Sequence, residues 1–156
     1  MSTTADTSPA EAETTGIRAA TLADASSVFA VLEQLDAMGY APDRAAFDES
    51  FRELVEDDRT SFMLVAQDAA GAVIGYALTT ISPLLHTAGS SAQLQELAVD
   101  GQHRGTGVGT ALMEAVERIC RDRNVRQLLV PSRRSADFYE RLGYKSAADL
   151  LKRTFD

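Results

Sequence analysis

Three glycines at alternate positions, Gly105, Gly107 and Gly109, follow Arg104 directly and open a run with helical apolar spacing. The full stretch from Leu94 to Met113 reads as a strand, a Gly-rich turn and the start of a helix. Glycine has no Cβ, so amides in such a turn can come close to a ligand. A helix N-terminus adds about half a positive charge at the same place, which suits an anion and most naturally a phosphate. The plainer reading is a turn that only permits tight packing. A P-loop would need Gly-Lys-Ser/Thr after four residues, and the sequence has none. A dinucleotide fingerprint fails too, because Thr110 stands where its last glycine belongs and no N-terminal βαβ unit surrounds it.

Arg104-Gly105-Thr106-Gly107-Val108-Gly109 resembles the acetyl-CoA-binding motif of the GNAT superfamily of N-acetyltransferases, Arg/Gln-x-x-Gly-x-Gly/Ala. Leu97-Ala98-Val99-Asp100 resembles that family's splayed strand, whose backbone pairs with pantetheine. Phe138-Tyr139-Glu140-Arg141-Leu142-Gly143-Tyr144 resembles its C-terminal Phe-Tyr-x-x-Leu-Gly-Phe/Tyr signature. The two motifs stand one helix and one strand apart, as in the family. The resemblance covers Gln93 to Phe155, and upstream it rests on element order alone.

The resemblance implies direct transfer of the acetyl group of acetyl-CoA to a primary amine, on a small molecule or a peptide, in a ternary complex. Acetyl-CoA would be a co-substrate, and no metal is implied. The pyrophosphate would sit on Arg104, Gly105, Thr106, Gly107, Val108, Gly109 and Thr110. The thioester carbonyl would bond to strand backbone near Leu97, Ala98 and Val99, an oxyanion-type arrangement. Tyr139 matches the tyrosine that protonates the leaving thiolate, its alternative being an aromatic packed on the last helix.

The base is less plain. Related sequences often carry carboxylates where Gln93 and Gln95 stand here, and an amide cannot take a proton. Glu96 is adjacent, but strand alternation points it to the opposite face unless a β-bulge re-aims it. Glu96, a water chain or no strong base all stay open. The rival function is therefore an acyl-CoA-binding sensor or regulatory module with little or no transferase activity. Ser132 stands where the family often has Asn, and Arg133 and Arg134 form a basic island that could meet a CoA phosphate or only start a helix. His103 could add to the phosphate field, and His86 could line the acceptor pocket, each against the reading of an exposed turn histidine. Cys120 has core spacing.

These residues need elements to hold them. Residues 1–15 hold no aliphatic side chain larger than Ala after Met1 and read as a flexible tail. Residues 16–156 read as a single domain. A short strand at 16–20 is followed by a helix with Val28, Leu32 and Leu35, then an acidic helix over 44–55. That helix, with Asp43, Glu49, Glu53 and Glu56, could draw in a cationic amine or be merely solvated. Strands at 61–66 and 72–81 flank a hairpin, 82–90 reads as a loop, and 93–99 is a strand. A helix over 107–121, a strand at 127–130, a helix over 135–142 and one or two final strands complete a mixed α/β order. The family fold implies a mixed central sheet of roughly six to seven strands with about four helices.

Fifteen Lys and Arg against 23 Asp and Glu give a net charge of −8, which argues against nucleic-acid and anionic-membrane partners. One cysteine excludes a disulfide framework. No signal-peptide pattern or bilayer-spanning run is visible, so the expected location is the cytoplasm. Family members are often dimers, so the resemblance allows a homodimer, while the sequence itself does not fix the oligomeric state.

Overall fold

Ser61–Gln67 is buried on both faces nearly throughout, which a strand achieves only inside a sheet covered on both sides. The computed structural model describes residues 16–35, 42–132 and 135–155 and places this strand, β2, second in a five-stranded sheet. The expected tail at 1–15, Arg133 and Arg134 lie outside the described residues. Around β2 lie β1 (Gly16–Ala19), β3 (Val73–Leu84), β4 (Gly89–Val99) and β5 (Gln127–Leu129), in the order β1-β2-β3-β4-β5. The first four pair antiparallel, and β5 joins β4 in parallel.

Two layers of helix cover the sheet. α1 (Ala25–Glu33) and α2 (Arg44–Glu56) pack Val28, Val31, Phe47 and Phe51 against Met63, Val65, Tyr76 and Leu78. α3 (Val108–Asp122) lays Leu112, Met113 and Val116 on the other face, against Phe62, Leu64 and Ile74. Successive β2 residues thus alternate between the two layers, the two-residue period of a strand. The short α4 (Ala136–Arg141) packs Tyr139 against the α3 layer and closes at Gly143, where the Tyr144 amide returns to the Tyr139 carbonyl at 3.1 Å.

α1 is anchored at its start. Arg18 from β1 grips both oxygens of Asp24, at 2.7 and 2.8 Å, and the same carboxylate accepts from the Thr21 amide at 2.8 Å. Asp43 caps α2 by accepting from the Ala45 and Ala46 amides.

Two expectations are corrected. The described residues form five strands, not six or seven, because 144–155 forms none. Its large apolar side chains, Leu150, Leu151 and Phe155, follow no two-residue alternation and stay exposed, so the segment gains too little burial to order a strand on β5. The stretch read as a loop at 82–90 is instead mostly strand. β3 and β4 stay paired to Leu84 and Gly89, and Pro83 is accommodated opposite Ser90 in that outer extension.

Candidate active site

The pairing of β3 with β4 slips by one residue. Leu78 stands opposite Glu96 while Thr79 stands opposite Leu94, so Gln95 is an extra residue on β4, a β-bulge. Simple alternation from Leu94, which faces α3, would send Glu96 to α3 as well. The bulge turns Glu96 over, onto the α1/α2 face with Leu78, and the face expected from strand alternation is corrected accordingly. Gln95 is held by a bond from its side-chain amide to the Thr80 hydroxyl at 2.9 Å.

Glu96 meets a partner there that the sequence reading missed. The Tyr76 hydroxyl donates to Glu96 Oε1 at 2.9 Å from a ring that is 2% exposed. Burial, and then the Glu96 charge, push the Tyr76 phenol far above its ordinary range, so it remains a donor. One carboxylate oxygen is thereby fixed in place. The position of Tyr76, two residues before Leu78 on the same face, is readable from sequence only once the bulge is known.

β5 leaves β4 early. Their parallel pairing covers only Ser91 to Gln93 against Gln127 to Leu129, and Pro131 then brings no amide donor. Beyond Gln93, the described residues show no pairing of β4 with β5, and the β5-facing edge over Leu94 to Val99 can bond to an extended ligand. The gap opens into a cleft of about 680 Å3 between α1, α2, the sheet and the approach to α4. Gln95, Glu96, Leu97, Ser132, Ser135 and Tyr139 line its β4–α4 side. Tyr139 is 8% exposed, and burial raises its phenol above the usual range, which keeps the hydroxyl protonated at neutral pH.

The Gly-rich turn follows β4. Gly105 and Gly107 have φ of +77° and +93°, a left-handed backbone that glycine takes without strain, and a Cβ at either would meet nothing within 4 Å among the described residues. The α3 ladder begins with the Ala111 amide bonding to Gly107 O at 3.0 Å, so the amides of Val108, Gly109 and Thr110 precede it and have no acceptor within the helix. Open space beside unladdered amides at a helix start fits a phosphate. Gly109 differs: a Cβ there would come within 3.3 Å of the Phe138 ring, so this glycine lets α4 cross the start of α3.

Arg104 sends Nε toward Val99 O at 3.4 Å, and the Thr106 hydroxyl donates to His103 O. Gln34, just past α1, clamps the turn from the other side: it donates to Asp100 at 2.8 Å and accepts from the Gly101 amide at 2.7 Å. Gln34, and then the Gln102 amide, hold the Asp100 carboxyl below its ordinary range.

The structure therefore brings Glu96, Leu97 and Tyr139 into one cleft, with Ala98, Val99 and the turn from Arg104 to Thr110 running on from it along the chain. His86 is not brought in; it is exposed at the β3–β4 turn, a correction to its place in the acceptor pocket. Cys120 is buried, and burial raises its thiol. Among the described residues, no cluster of three or more His, Cys, Asp or Glu is placed to hold a metal, and no helix is long and apolar enough to cross a membrane.

Comparison with known proteins bears directly on this geometry. The profile of the Acetyltransferase (GNAT) family matches residues 28–144. An uncharacterised N-acetyltransferase of Chlorobaculum tepidum is 30% identical over 131 residues, covering 84% of this chain and 76% of that protein. Among solved structures, a transcriptional regulator from Bacillus halodurans superposes with a TM-score of 0.81 at 23% identity, covering 90% of this chain and 99% of that one. Glucosamine-6-phosphate N-acetyltransferase from Arabidopsis thaliana gives 0.78 at 20% identity, covering 90% and 98%. At those identities the two structures establish a shared fold.

Proposed function

The chain belongs to the acetyltransferase (GNAT) family, and from that premise we propose that it moves the acetyl group of acetyl-CoA directly onto a primary amine, with Glu96 as base and Tyr139 as acid. The carrying observation is the bulge at Gln95, which puts a carboxylate, steadied by Tyr76, in the cleft where β4 and β5 part.

The amides from Gly105 to Thr110 hold the pyrophosphate, and the free β4 edge over Leu97 to Val99 lines up the pantetheine arm and bonds to the thioester carbonyl. Arg104 swings from Val99 O to the phosphates. The bound ammonium first gives up one proton to solvent, and Glu96 takes a second from the amine nitrogen as that nitrogen bonds to the carbonyl carbon. Tyr139 supplies a proton to sulfur as the carbon–sulfur bond breaks, and it recovers one from solvent. One amide, one thiol and one proton are the net products. Holding both reactants in one cleft supplies much of the rate.

The rival reading, a module that binds acyl-CoA without transfer, drew its force from the lack of a carboxylate at 93 and 95. Glu96 on the cleft face weakens that ground. The test is thiol release from acetyl-CoA against a panel of primary amines, repeated with Tyr139→Phe. We expect turnover in the native protein. In the variant, kcat and kcat/KM should fall together by about 10²-fold, with acetyl-CoA affinity unchanged by calorimetry. Tight acetyl-CoA binding with no turnover on any amine would establish the module instead.

A further inference from the structure

The cleft is chemically lopsided. On its α1/α2 side the wall is Leu32, Phe47, Phe51, Leu54, Met63 and Leu78. Glu96 is the only charged side chain among the described lining residues, and Ser50 is the only polar residue that α1 or α2 contributes. One Glu96 oxygen is held by Tyr76, which leaves the other to receive a cation. Gln95 is tied to Thr80.

The α1/α2 side, with Glu96 facing it, can read one ammonium group and an apolar body. We propose that the acceptor is a monoamine whose nitrogen is carried on an alkyl or arylalkyl body seated between Phe47, Phe51 and Leu54. The proposal rests on the acetyltransferase reading and narrows it to a substrate class. Among the described lining residues a second ammonium would meet leucine and phenylalanine and no counter-charge, and a charge buried unpaired is strongly disfavoured. An amino sugar would bury several hydroxyls against the same wall, and each one left without a partner weakens binding. Phosphate or carboxylate on the acceptor would find no cation among the described lining residues. The acidic outer surface of α2, with Glu49, Glu53 and Glu56 exposed, favours the approach of any cation and so does not choose among amines. The choice is made inside.

The experiment measures kcat/KM at saturating acetyl-CoA for ethylamine, butylamine, hexylamine and phenylethylamine, beside spermidine and glucosamine. We expect a rise of roughly fourfold per added methylene until the cavity is filled, as burial of each CH2 predicts. Phenylethylamine should be among the best acceptors, and spermidine and glucosamine should lie at least tenfold below hexylamine. Leu54→Asp, on the half-buried wall, should cut the preference for hexylamine over spermidine by at least tenfold. A flat alkyl series with spermidine or glucosamine preferred overturns the proposal and leaves the acetyltransferase reading standing. Should no amine turn over, calorimetry of hexylamine and spermidine into the CoA-loaded protein still decides. Hexylamine binding at least tenfold tighter keeps the pocket assignment while the transferase reading fails, and equal or absent binding ends both.

Discussion

The two faces of the sheet are built from the same strands and put to opposite use. On the α3 face Leu112, Met113 and Val116 are fully buried, and the layer is filled side chain against side chain. On the α1/α2 face an equally apolar set leaves a cleft of about 680 Å3, with Glu96 at one wall. The filled face fixes the start of α3, and with it the glycine turn. The face with the void has room for a guest. Rigidity and capacity are thus separated by the thickness of one sheet, and a change in one layer should be felt differently from the same change in the other.

Leu112→Ala against Leu54→Ala tests that division most directly. Leu112 has no exposed surface, so its truncation should cost about 3–4 kcal/mol in urea unfolding. Leu54 already borders open space, and its truncation should cost under about 1 kcal/mol. Equal losses would erase the distinction between the faces.

The next largest effect is expected at the turn that the filled face supports. Gly107→Glu puts a side chain and a negative charge into the open space beside the α3 amides, at a φ of +93°. Acetyl-CoA affinity should fall at least a hundredfold by calorimetry, about 2.7 kcal/mol, with the fold retained by circular dichroism. Unchanged affinity in the folded variant would remove the phosphate assignment.

The smallest effect concerns the support of the hollow face. Arg18 first, with the Thr21 amide also contributing, holds the Asp24 carboxyl below the ordinary carboxylate range. A depressed folded value means that the pair's contribution is present above the unfolded pKa of about 3.9 and is lost as pH falls through the folded value. Asp24→Asn should therefore cost about 2 kcal/mol at pH 7 and progressively less below about pH 4. A gap between the two proteins that stays constant with pH would show that packing, not charge, anchors α1.

Much of this was legible in the chain. The glycine turn, the apolar stripe of α3 and the closing Gly143 carry local signals, because backbone conformation and helical period are written in neighbouring residues. Glu96 was legible as a carboxylate, but its face was not. A bulge is a property of two strands paired, and nothing within Leu94-Gln95-Glu96 announces that the ladder slips there. The Tyr76 bond depends on that slip, and the Gln34 clamp joins residues 66 and 67 positions apart, so neither has a local mark. The early departure of β5 had one clue, Pro131, which reads equally well as the end of any strand. The hairpin past Pro83 was missed for a related reason: proline discourages a strand on average, and only the pairing opposite Ser90 shows that this one is tolerated.

The extra residue in β4 also bears on how such chains are lined up with one another. Removing Gln95 would leave Glu96 opposite Leu78 and on its present face, so a relative one residue shorter at this point could present the same carboxylate from an unkinked strand. A column-by-column alignment that forbids a gap inside a strand would then set Glu96 beside the wrong neighbour and score the acidic position as lost. The gap belongs within the strand, at the codon for Gln95, and a homologue whose carboxylate is displaced by one column is best compared by the side chain across the ladder.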